Sequence, residues 1–304
     1  FLGLKAQDFE DNLASASFSV DGSNVAKTQK LLGDKFPSLP SEQVMVVFHS
    51  DKLTVDDAIY KSYVDKATGT LKGKPNVTSL SSPYDEPSEM QISQDRHTAL
   101  LLVGLEGKPN ELQKNSAELQ KALPPATSSI ERYLTGMSAL NADVISQEKD
   151  DITTAEMIGL PIAFVVLLIA FGSVVASLIP LTLGGVGIVT TFGFLSLLHG
   201  KVPFDTFTES AITMLGLALG IDYSLMIITR FREELAKNSP VKKSIITTMQ
   251  TAGHAVLFSG ITVLISLSGL LLVNTPLFRS LAVGSMAIVL VMLVLCLVLL
   301  PIIL

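Results

Sequence analysis

One acidic side chain, Asp222, lies inside a long apolar stretch of the sequence and is followed directly by Tyr223. The stretch runs from residue 207 to residue 229, and its only other charged residue is Glu209 near its start. A carboxylate within a membrane is costly unless it pairs with a base or lines a watery cavity. Burial also favours the protonated form, which lets such a group take up and release protons. We therefore predict that Asp222 and Tyr223 form a proton relay, with Tyr223 donating a hydrogen bond to the acid or to water.

The alternative role for Asp222 is structural, as an acid that pairs with a lysine or arginine of another helix. The apolar stretches of the chain contain no basic residue at a comparable depth. An unpaired acid inside a membrane is more typical of a proton pathway than of a structural ion pair. The sequence therefore favours the relay.

Two glycines, Gly216 and Gly220, precede this acid in the same stretch at a spacing of four residues. Residues at that spacing share one face of a helix, and Ala218 adds a further small side chain. Small residues in membrane helices let a neighbouring helix approach closely. We interpret Gly216 and Gly220 as helix-packing residues and not as part of a ligand site.

The same stretch ends in a charged segment that contains Arg230, Arg232, Glu233 and Glu234. Basic residues at the carboxyl end of a helix complement the helix dipole and the anionic lipids of the cytoplasmic leaflet. We predict that these residues anchor the helix at the cytoplasmic surface. The alternative is that they form an ion pair that opens and closes during function.

The composition indicates that part of the chain lies in lipid. Of its 304 residues 48% are hydrophobic and only 16% are charged, and the mean hydropathy is +0.48. Residues 157–198 contain no charged residue and no histidine, and a helix needs about 20 apolar residues to cross a membrane. Five transmembrane helices are predicted in all, at about residues 154–176, 177–198, 207–230, 252–273 and 280–304.

The distribution of charge predicts the orientation of these helices. Five of the seven basic residues after residue 151 lie between Arg230 and Lys243. Because basic loops remain in the cytoplasm, residues 231–251 are predicted to be cytoplasmic. Counting spans backward places residues 1–151, which contain 22 of the 28 acidic residues, on the external side as a separate domain.

The external domain shows alternating patterns of strands and helices. Their order across residues 42–135 is β-α-β-β-α-β, the order of a ferredoxin-like fold. The predicted fold class is therefore an α-helical integral membrane protein with an α+β ferredoxin-like external domain. The strands are predicted at residues 44–49, 77–80, 99–105 and 130–134, and the helices at 24–36, 55–71 and 110–123.

Several function classes are excluded by what the sequence lacks. It has no long basic run, which argues against binding to nucleic acid. His97, His199 and His254 are isolated, so no metal site is predicted, and Cys296 is the single cysteine. There is no nucleotide-binding Gly-rich loop and no nucleophile elbow, so we predict neither a cofactor nor enzymatic activity.

Two stretches resemble a known family. They are GLALGIDYSLMIITRFREEL, residues 216–235, and TAGHAVLFSGITVLISLSGLLL, residues 251–272. Both are similar to the MMPL transporters of the resistance-nodulation-division superfamily, and the layout of an outer domain followed by helices agrees over nearly the whole chain. The resemblance implies that the chain is the first half of a longer transporter, with the outer porter domain and transmembrane helices 2 to 6. It also implies that Asp222 and Tyr223 correspond to the proton-relay pair of the family.

In this family two similar halves form one polypeptide, and the second half contributes an equivalent pair of residues. The implied function is the export of lipids, fatty acids or other hydrophobic compounds across a bacterial plasma membrane, driven by the proton gradient. The implied partners are protons, the hydrophobic substrate, the membrane and the C-terminal half of the transporter. Two other functions occur on this fold: lipid or sterol sensing without transport, and proton-driven assistance of protein secretion. Asp222 argues against a sensor, and the two motifs argue against a secretion accessory.

Overall fold

The computed structural model describes residues 22–36, 39–85, 89–107, 109–198, 202 and 204–304, together with Gly3, Lys5, Ala6, Phe9 and Leu13. The chain divides into two compact units. The helical unit comprises Phe1–Asp21 and Asp150–Leu304, and the mixed unit comprises Gly22–Lys149.

The division differs from the expected external domain of residues 1–151 at its beginning. Ala6 and Phe9 are buried in the core of the helical unit, where the Phe9 ring stacks on Phe192 with the ring centroids 5.0 Å apart. The described apolar residues of this segment therefore group with the membrane helices, because Ala6, Phe9 and Leu13 pack in or against that core.

The mixed unit contains one antiparallel sheet. After helix α1 (Asn24–Lys35) its strands and helices follow the order β-α-β-β-α-β. Neighbouring strands lie in the order β2-β3-β1-β4, and each neighbouring pair is antiparallel. The elements are β1 (Glu42–His49), α2 (Ala58–Leu71), β2 (Val77–Ser81), β3 (Thr98–Leu105), α3 (Pro109–Ala122) and β4 (Glu131–Thr135).

One face of this sheet is covered and supplies the core of the mixed unit. Val44, Val46 and Phe48 alternate along β1 and are fully buried, as a strand with one covered face requires. Helix α2 lies on this core, and its Tyr60 hydroxyl donates a 2.7 Å hydrogen bond to the carbonyl of Phe48. Burial raises the pKa of Tyr60, so this hydroxyl stays protonated and keeps the bond. The apolar alternation and the buried tyrosine together hold α2 on the sheet.

Among the residues that the structure describes, five helices are long and apolar enough to cross a membrane. Four lie within the helical unit, and the first begins in the mixed unit and continues into the helical unit. The prediction of an integral membrane protein with five such helices is confirmed by their length and composition. The third and fourth helices extend beyond their apolar stretches, and only residues 237–240 join them. The loop between these helices is therefore shorter than the predicted cytoplasmic loop of about residues 231–251. The five are α4 (Met137–Phe171), α5 (Val174–Ser196), α6 (Thr206–Ala236), α7 (Val241–Leu272) and α8 (Pro276–Ile303).

Helix α6 is the central helix of this unit and contacts α5, α7 and α8. Its buried side includes Ile212, Tyr223 and Ile227, while most of α4 and α7 remains exposed. Helix α7 contains a π-helical turn at Met249–Gly253, and α8 contains one at Leu295–Leu299. Such turns locally widen a helix and are frequent at functional sites.

Candidate functional site

Asp222 lies at the middle of α6, on its exposed side. It is 16 residues after the first residue of α6 and 14 before the last, which corresponds to about 24 Å and about 21 Å along the helix axis. Met214, Ala218, Asp222 and Met226 are all exposed and are spaced by four residues. These four residues form one stripe along the helix, called here the exposed stripe.

The carboxylate of Asp222 makes no hydrogen bond and no ion pair with any residue that the structure describes. We expected a buried acid, and this chain by itself leaves it uncovered. The difference arises because the buried side of α6 is occupied by its contacts with α5 and α8, while Asp222 points away from both. A group in this position is available to a proton or to a partner that covers the stripe.

Tyr223 points into the helical unit, in contrast to its neighbour. Its side chain is 3% exposed, and its hydroxyl is buried without a hydrogen-bond partner among the described residues. Ser259 on α7 is the polar side chain that approaches this hydroxyl. Successive residues of a helix do not face each other, so Asp222 and Tyr223 present their polar groups to different surroundings.

The two glycines of α6 lie where its backbone approaches other helices most closely. A Cβ atom added at Gly220 would be 2.8 Å from the Cα and 3.0 Å from the nitrogen of Gly184 on α5. One added at Gly216 would be 2.6 Å from Cγ1 of Ile188. Contact between the backbones of α5 and α6 therefore depends on Gly220, two residues before Asp222.

Arg230 at the far end of α6 forms an ion-pair network with its own helix. Its Nη2 lies 2.7 Å from Oε1 of Glu234 and its Nη1 lies 3.1 Å from Oε2 of Glu233. Lys237 also contacts Glu234, at 2.8 Å. In addition, Nε of Arg230 donates a 3.3 Å hydrogen bond to Oγ1 of Thr251 on α7. The network joins the charged end of α6 to the π-helical turn of α7.

Arg232 reaches across to a different helix. Its Nη1 donates a hydrogen bond to the carbonyl of Phe171, the last residue of α4, and the guanidinium lies 6.0 Å from the centroid of the Phe171 ring. The next residue, Gly172, has a φ of 64° and ends α4 in the left-handed conformation that glycine adopts without strain. Arg232 thus satisfies a carbonyl that the end of α4 leaves free.

The contact between Arg232 and Phe171 allows us to predict the effect of replacing Arg232. Replacement by alanine is expected to reduce the stability of the folded protein by about 1 kcal/mol, because the Phe171 carbonyl loses its donor. If the residue anchors helices, export per folded molecule stays unchanged. Thermal unfolding of the purified protein and export normalised to folded protein are the measurements. A drop in normalised export with unchanged thermal stability would instead support the gating ion pair.

A buried polar cluster at the start of α6 was not singled out from the sequence. Asp205 is 2% exposed, and its Oδ1 accepts hydrogen bonds from the nitrogen and the hydroxyl of Thr208, at 2.9 and 3.0 Å. Its Oδ2 accepts a 2.7 Å bond from the hydroxyl of Ser280 on α8. An aspartate three residues before a threonine and next to an apolar stretch is a helix N-cap signal, which identifies Asp205 but not Ser280.

Loss of this carboxylate is expected to destabilise the helical unit. Replacing Asp205 by alanine removes the N-cap of α6 and one of the two acceptors of the buried Ser280 hydroxyl, which keeps its 2.9 Å contact with the Leu277 carbonyl, at a combined cost of about 2 kcal/mol. Replacement by asparagine, which also caps helices, is expected to cost less than half as much. The thermal unfolding midpoint of the purified protein measures both effects. Equal midpoints for the alanine variant and the wild type would show that the cluster does not stabilise the fold.

The histidines that the structure describes lie apart from the acid on α6 and are not grouped as metal ligands. Nδ1 of His97 lies 2.8 Å from the carbonyl oxygen of Ser50 in the mixed unit, and His254 is exposed on α7. His199 lies outside the described residues. Among the residues that the structure describes, no three histidine, cysteine or acidic side chains are grouped as metal ligands.

Five apolar helices, with a mid-helix acid on the central one, define a multi-pass integral membrane protein. The sequence also identifies the family within this class. The profile of the MMPL family matches residues 17–304, and the chain belongs to this family of membrane transporters, as its motifs predict.

Known members of the family are similar over most of the chain. The mycolic acid-containing lipids exporter MmpL11 of Mycolicibacterium smegmatis is 30% identical over 292 residues, which cover 90% of this chain and 29% of that protein. The heme uptake protein MmpL11 of Mycobacterium tuberculosis is 31% identical, with 90% and 29% covered. The trehalose monomycolate exporter MmpL3 of Mycolicibacterium smegmatis is 28% identical, with 76% and 22% covered. The chain spans less than a third of the length of these three relatives.

Proposed function

We propose that this chain is part of a longer two-half transporter that exports lipids, fatty acids or other hydrophobic compounds across a bacterial plasma membrane, driven by the proton gradient. Asp222 takes up and releases the proton, and Tyr223 assists from the inner side of the same helix. Membership of the MMPL family supports transport as the activity. Two of the three relatives described above are named as lipid exporters, which supports the substrate class.

The observation that carries this proposal is the position of Asp222. A carboxylate at the midpoint of a membrane helix is unfavourable in contact with lipid, yet Asp222 is exposed on the surface of the helical unit. The exposed stripe is therefore a surface that another part of the transporter covers. We assign that role to the C-terminal half, because a covered, partly hydrated carboxylate is able to exchange protons without contact with lipid.

The proton gradient is an adequate energy source for such a mechanism. A charge that crosses 100 mV releases about 2.3 kcal/mol. Neutralising Asp222 removes its unfavourable charge from the interface between the two halves. The helices then pack differently in the protonated and the charged state, and the halves move relative to each other around the substrate path, as in other repeat-built transporters.

The mixed unit is proposed to be the external porter domain. Its β-α-β-β-α-β order and its β2-β3-β1-β4 sheet support a ferredoxin-like fold. Its external position follows from the basic residues that cluster at 230–243, on the side that remains in the cytoplasm. In this arrangement the porter domain receives the hydrophobic substrate on the outer side of the membrane.

Uptake of a hydrophobic compound is the second candidate, because one relative is named a heme uptake protein. A lipid sensor is disfavoured, because sensing by itself gives no reason for an exposed acid at mid-membrane depth. A secretion accessory is disfavoured by the motifs at residues 216–235 and 251–272, which match MMPL transporters.

The test uses the full-length protein in proteoliposomes loaded with a fluorescent fatty acid, a fluorescent phospholipid or heme. Export or import of each compound is measured with and without an imposed pH gradient. Gradient-dependent export of a lipid supports the proposal, and gradient-dependent movement of heme alone supports the uptake function. Binding of lipids without any gradient-dependent movement would contradict transport and support a sensor.

A further inference from the structure

The sheet of the mixed unit has a second face, on the side away from its core. Successive residues of a strand point to opposite faces, so Met45 and Val47 of β1 lie on this second face. Val47 is paired with Leu100 of β3 and Tyr133 of β4, and Met45 is paired with Leu102 of β3. Tyr133 is 56% exposed, the other four are half-buried, and none of the five belongs to the core. These five residues form an apolar patch, called here the open face.

A small polar cavity lies at one end of the open face, where β1 ends and β4 begins. Its volume is about 70 Å³, enough for a few groups of the size of water. Its lining includes an imidazole, two carboxylates, an ammonium group and several hydroxyls. Six of the lining residues are His49, Asp51, Lys52, Ser128, Ser129 and Glu131.

The open face and the polar cavity form one continuous surface. The alternation along β1 places His49 on the same side as the open face. Nε2 of His49 lies 3.2 Å from Oδ1 of Asp51, and the hydroxyl of Tyr133 donates a 2.7 Å hydrogen bond to Oε2 of Glu131. Both acids of the cavity are therefore held by residues that lie on this side of the sheet. From His49 to Met45 the surface extends over about 13 Å, which is long enough for an octyl chain.

The polar cavity offers donors and acceptors of mixed charge. The ammonium group of Lys52 donates hydrogen bonds, the carboxylates of Asp51 and Glu131 accept them, and the hydroxyls of Ser128 and Ser129 do both. A hydroxyl group of a ligand also donates and accepts, so it is able to pair with each of these groups. An anionic head group would instead meet two carboxylates and one ammonium group, and like charges at short range disfavour binding. The cavity therefore suits a neutral head group with several hydroxyls.

We propose that the open face and the polar cavity together bind one neutral amphiphile, with its alkyl chain along the open face and its polyhydroxyl head group in the cavity. The inference rests on the proposed function of the mixed unit as a porter domain, and it specifies which hydrophobic compounds that domain accepts. Ligand sites commonly combine a mostly apolar surface with a few polar groups that fix the orientation of the ligand. The open face supplies the apolar surface here, and the cavity supplies the polar groups.

The test uses the full-length protein in phosphatidylcholine nanodiscs and three probes that carry the same alkyl chain length. They are octyl glucoside, octyl phosphate and octanoate, each radiolabelled and kept below the concentration at which it forms micelles. Binding is measured by equilibrium dialysis, and the signal of empty nanodiscs is subtracted. Octyl glucoside is expected to bind at least about tenfold more tightly than either anionic probe. Equal or weaker binding of octyl glucoside would overturn the proposal.

Two variants separate the chain from the head group. Val47→Lys places a charge in the middle of the open face and is expected to weaken octyl glucoside binding at least about tenfold. Ser128→Ala combined with Ser129→Ala removes two hydroxyls from the cavity and is expected to weaken it about tenfold. The matched control is Ile59→Lys, since Ile59 is 68% exposed on α2, which lies on the other face of the sheet. Wild-type affinity in Val47→Lys, with the folded state confirmed by thermal unfolding, would overturn the proposal.

A second measurement shows whether the open face is accessible in the whole transporter. In full-length protein without other reactive cysteines, Val47→Cys is expected to react with a maleimide and to be protected by octyl glucoside. Ile59→Cys is expected to react equally with and without octyl glucoside. If Val47→Cys does not react, another part of the transporter covers the open face, and the proposal is overturned.

The site and the proposed function fail in different ways. Asp222→Asn is expected to leave octyl glucoside binding unchanged, because Asp222 belongs to the helical unit. Gradient-driven lipid export without binding at the open face would overturn this inference and leave the proposed function intact. Binding at the open face in a protein that moves no lipid along a gradient would support the site and contradict the proposed function.

Discussion

Replacing Asp222 by asparagine is expected to abolish export driven by a proton gradient, with a loss of at least about a hundredfold in rate. Asparagine has nearly the same size and cannot bind and release a proton at physiological pH. Because Asp222 is exposed and makes no hydrogen bond or ion pair with the described residues, the nearly isosteric substitution removes no polar contact of that kind within this chain. The measurement is lipid export by the full-length protein in proteoliposomes, with and without a pH gradient.

The matched control is Met214→Leu, at a position on the same exposed stripe that is 68% exposed. This change is expected to leave export unchanged, since it keeps an apolar side chain on the stripe. Asp222→Glu keeps a carboxyl group and is expected to retain part of the activity. Gradient-driven export at the wild-type rate in Asp222→Asn, with equal folded amounts, would remove Asp222 from the coupling path and leave it a structural role.

Replacing Gly220 by valine is expected to prevent correct packing of α5 against α6. A Cβ at this position would lie 2.8 Å from the Cα of Gly184, and a backbone atom cannot move aside as a flexible side chain can. The two helices would have to separate, at a cost of about 3 kcal/mol or more. The yield of folded full-length protein and its thermal unfolding midpoint are the measurements, and both are expected to fall.

Gly185 on α5 offers the matched control for this prediction. A Cβ added there meets no atom of the described residues within 4 Å, so Gly185→Ala is expected to leave the unfolding midpoint unchanged or to raise it slightly, because alanine favours the helix. If Gly220→Val and Gly185→Ala gave the same yield and midpoint, the close approach at Gly220 would not be needed for folding. The contrast separates backbone contact from the general effect of removing a glycine.

The sequence determined the elements and the class of the protein. The apolar stretches are long enough to cross a membrane, so they predict five membrane helices whatever the packing between those helices. The alternation of apolar residues along β1 and the motifs around Asp222 are also visible in short stretches of sequence, so they too can be recognised without the tertiary structure. The MMPL family assignment followed from residues 216–235 and 251–272, and the family profile confirmed it.

The direction that Asp222 faces was decided by tertiary structure. Both sides of a membrane helix are apolar, so hydrophobic periodicity does not distinguish the side of α6 that packs from the side that is exposed. The contacts of α6 with α5 and α8 place Tyr223 inside and Asp222 outside. For the same reason the sequence alone does not separate Gly220, where an added Cβ would lie against the backbone of Gly184, from Gly185, where it would meet no described atom within 4 Å.

The contacts between distant parts of the chain also appeared only in the folded structure. Asp205 binds Ser280 across 75 residues, and Arg232 binds the Phe171 carbonyl across 61. Such pairs form only when their two helices become neighbours. Which helices become neighbours depends on the packing of the helices along their whole length. The sequence therefore determined which segments enter the membrane and which acid is unusual. The tertiary structure decided what each polar side chain meets, because the packing of all five helices is needed to bring those groups together.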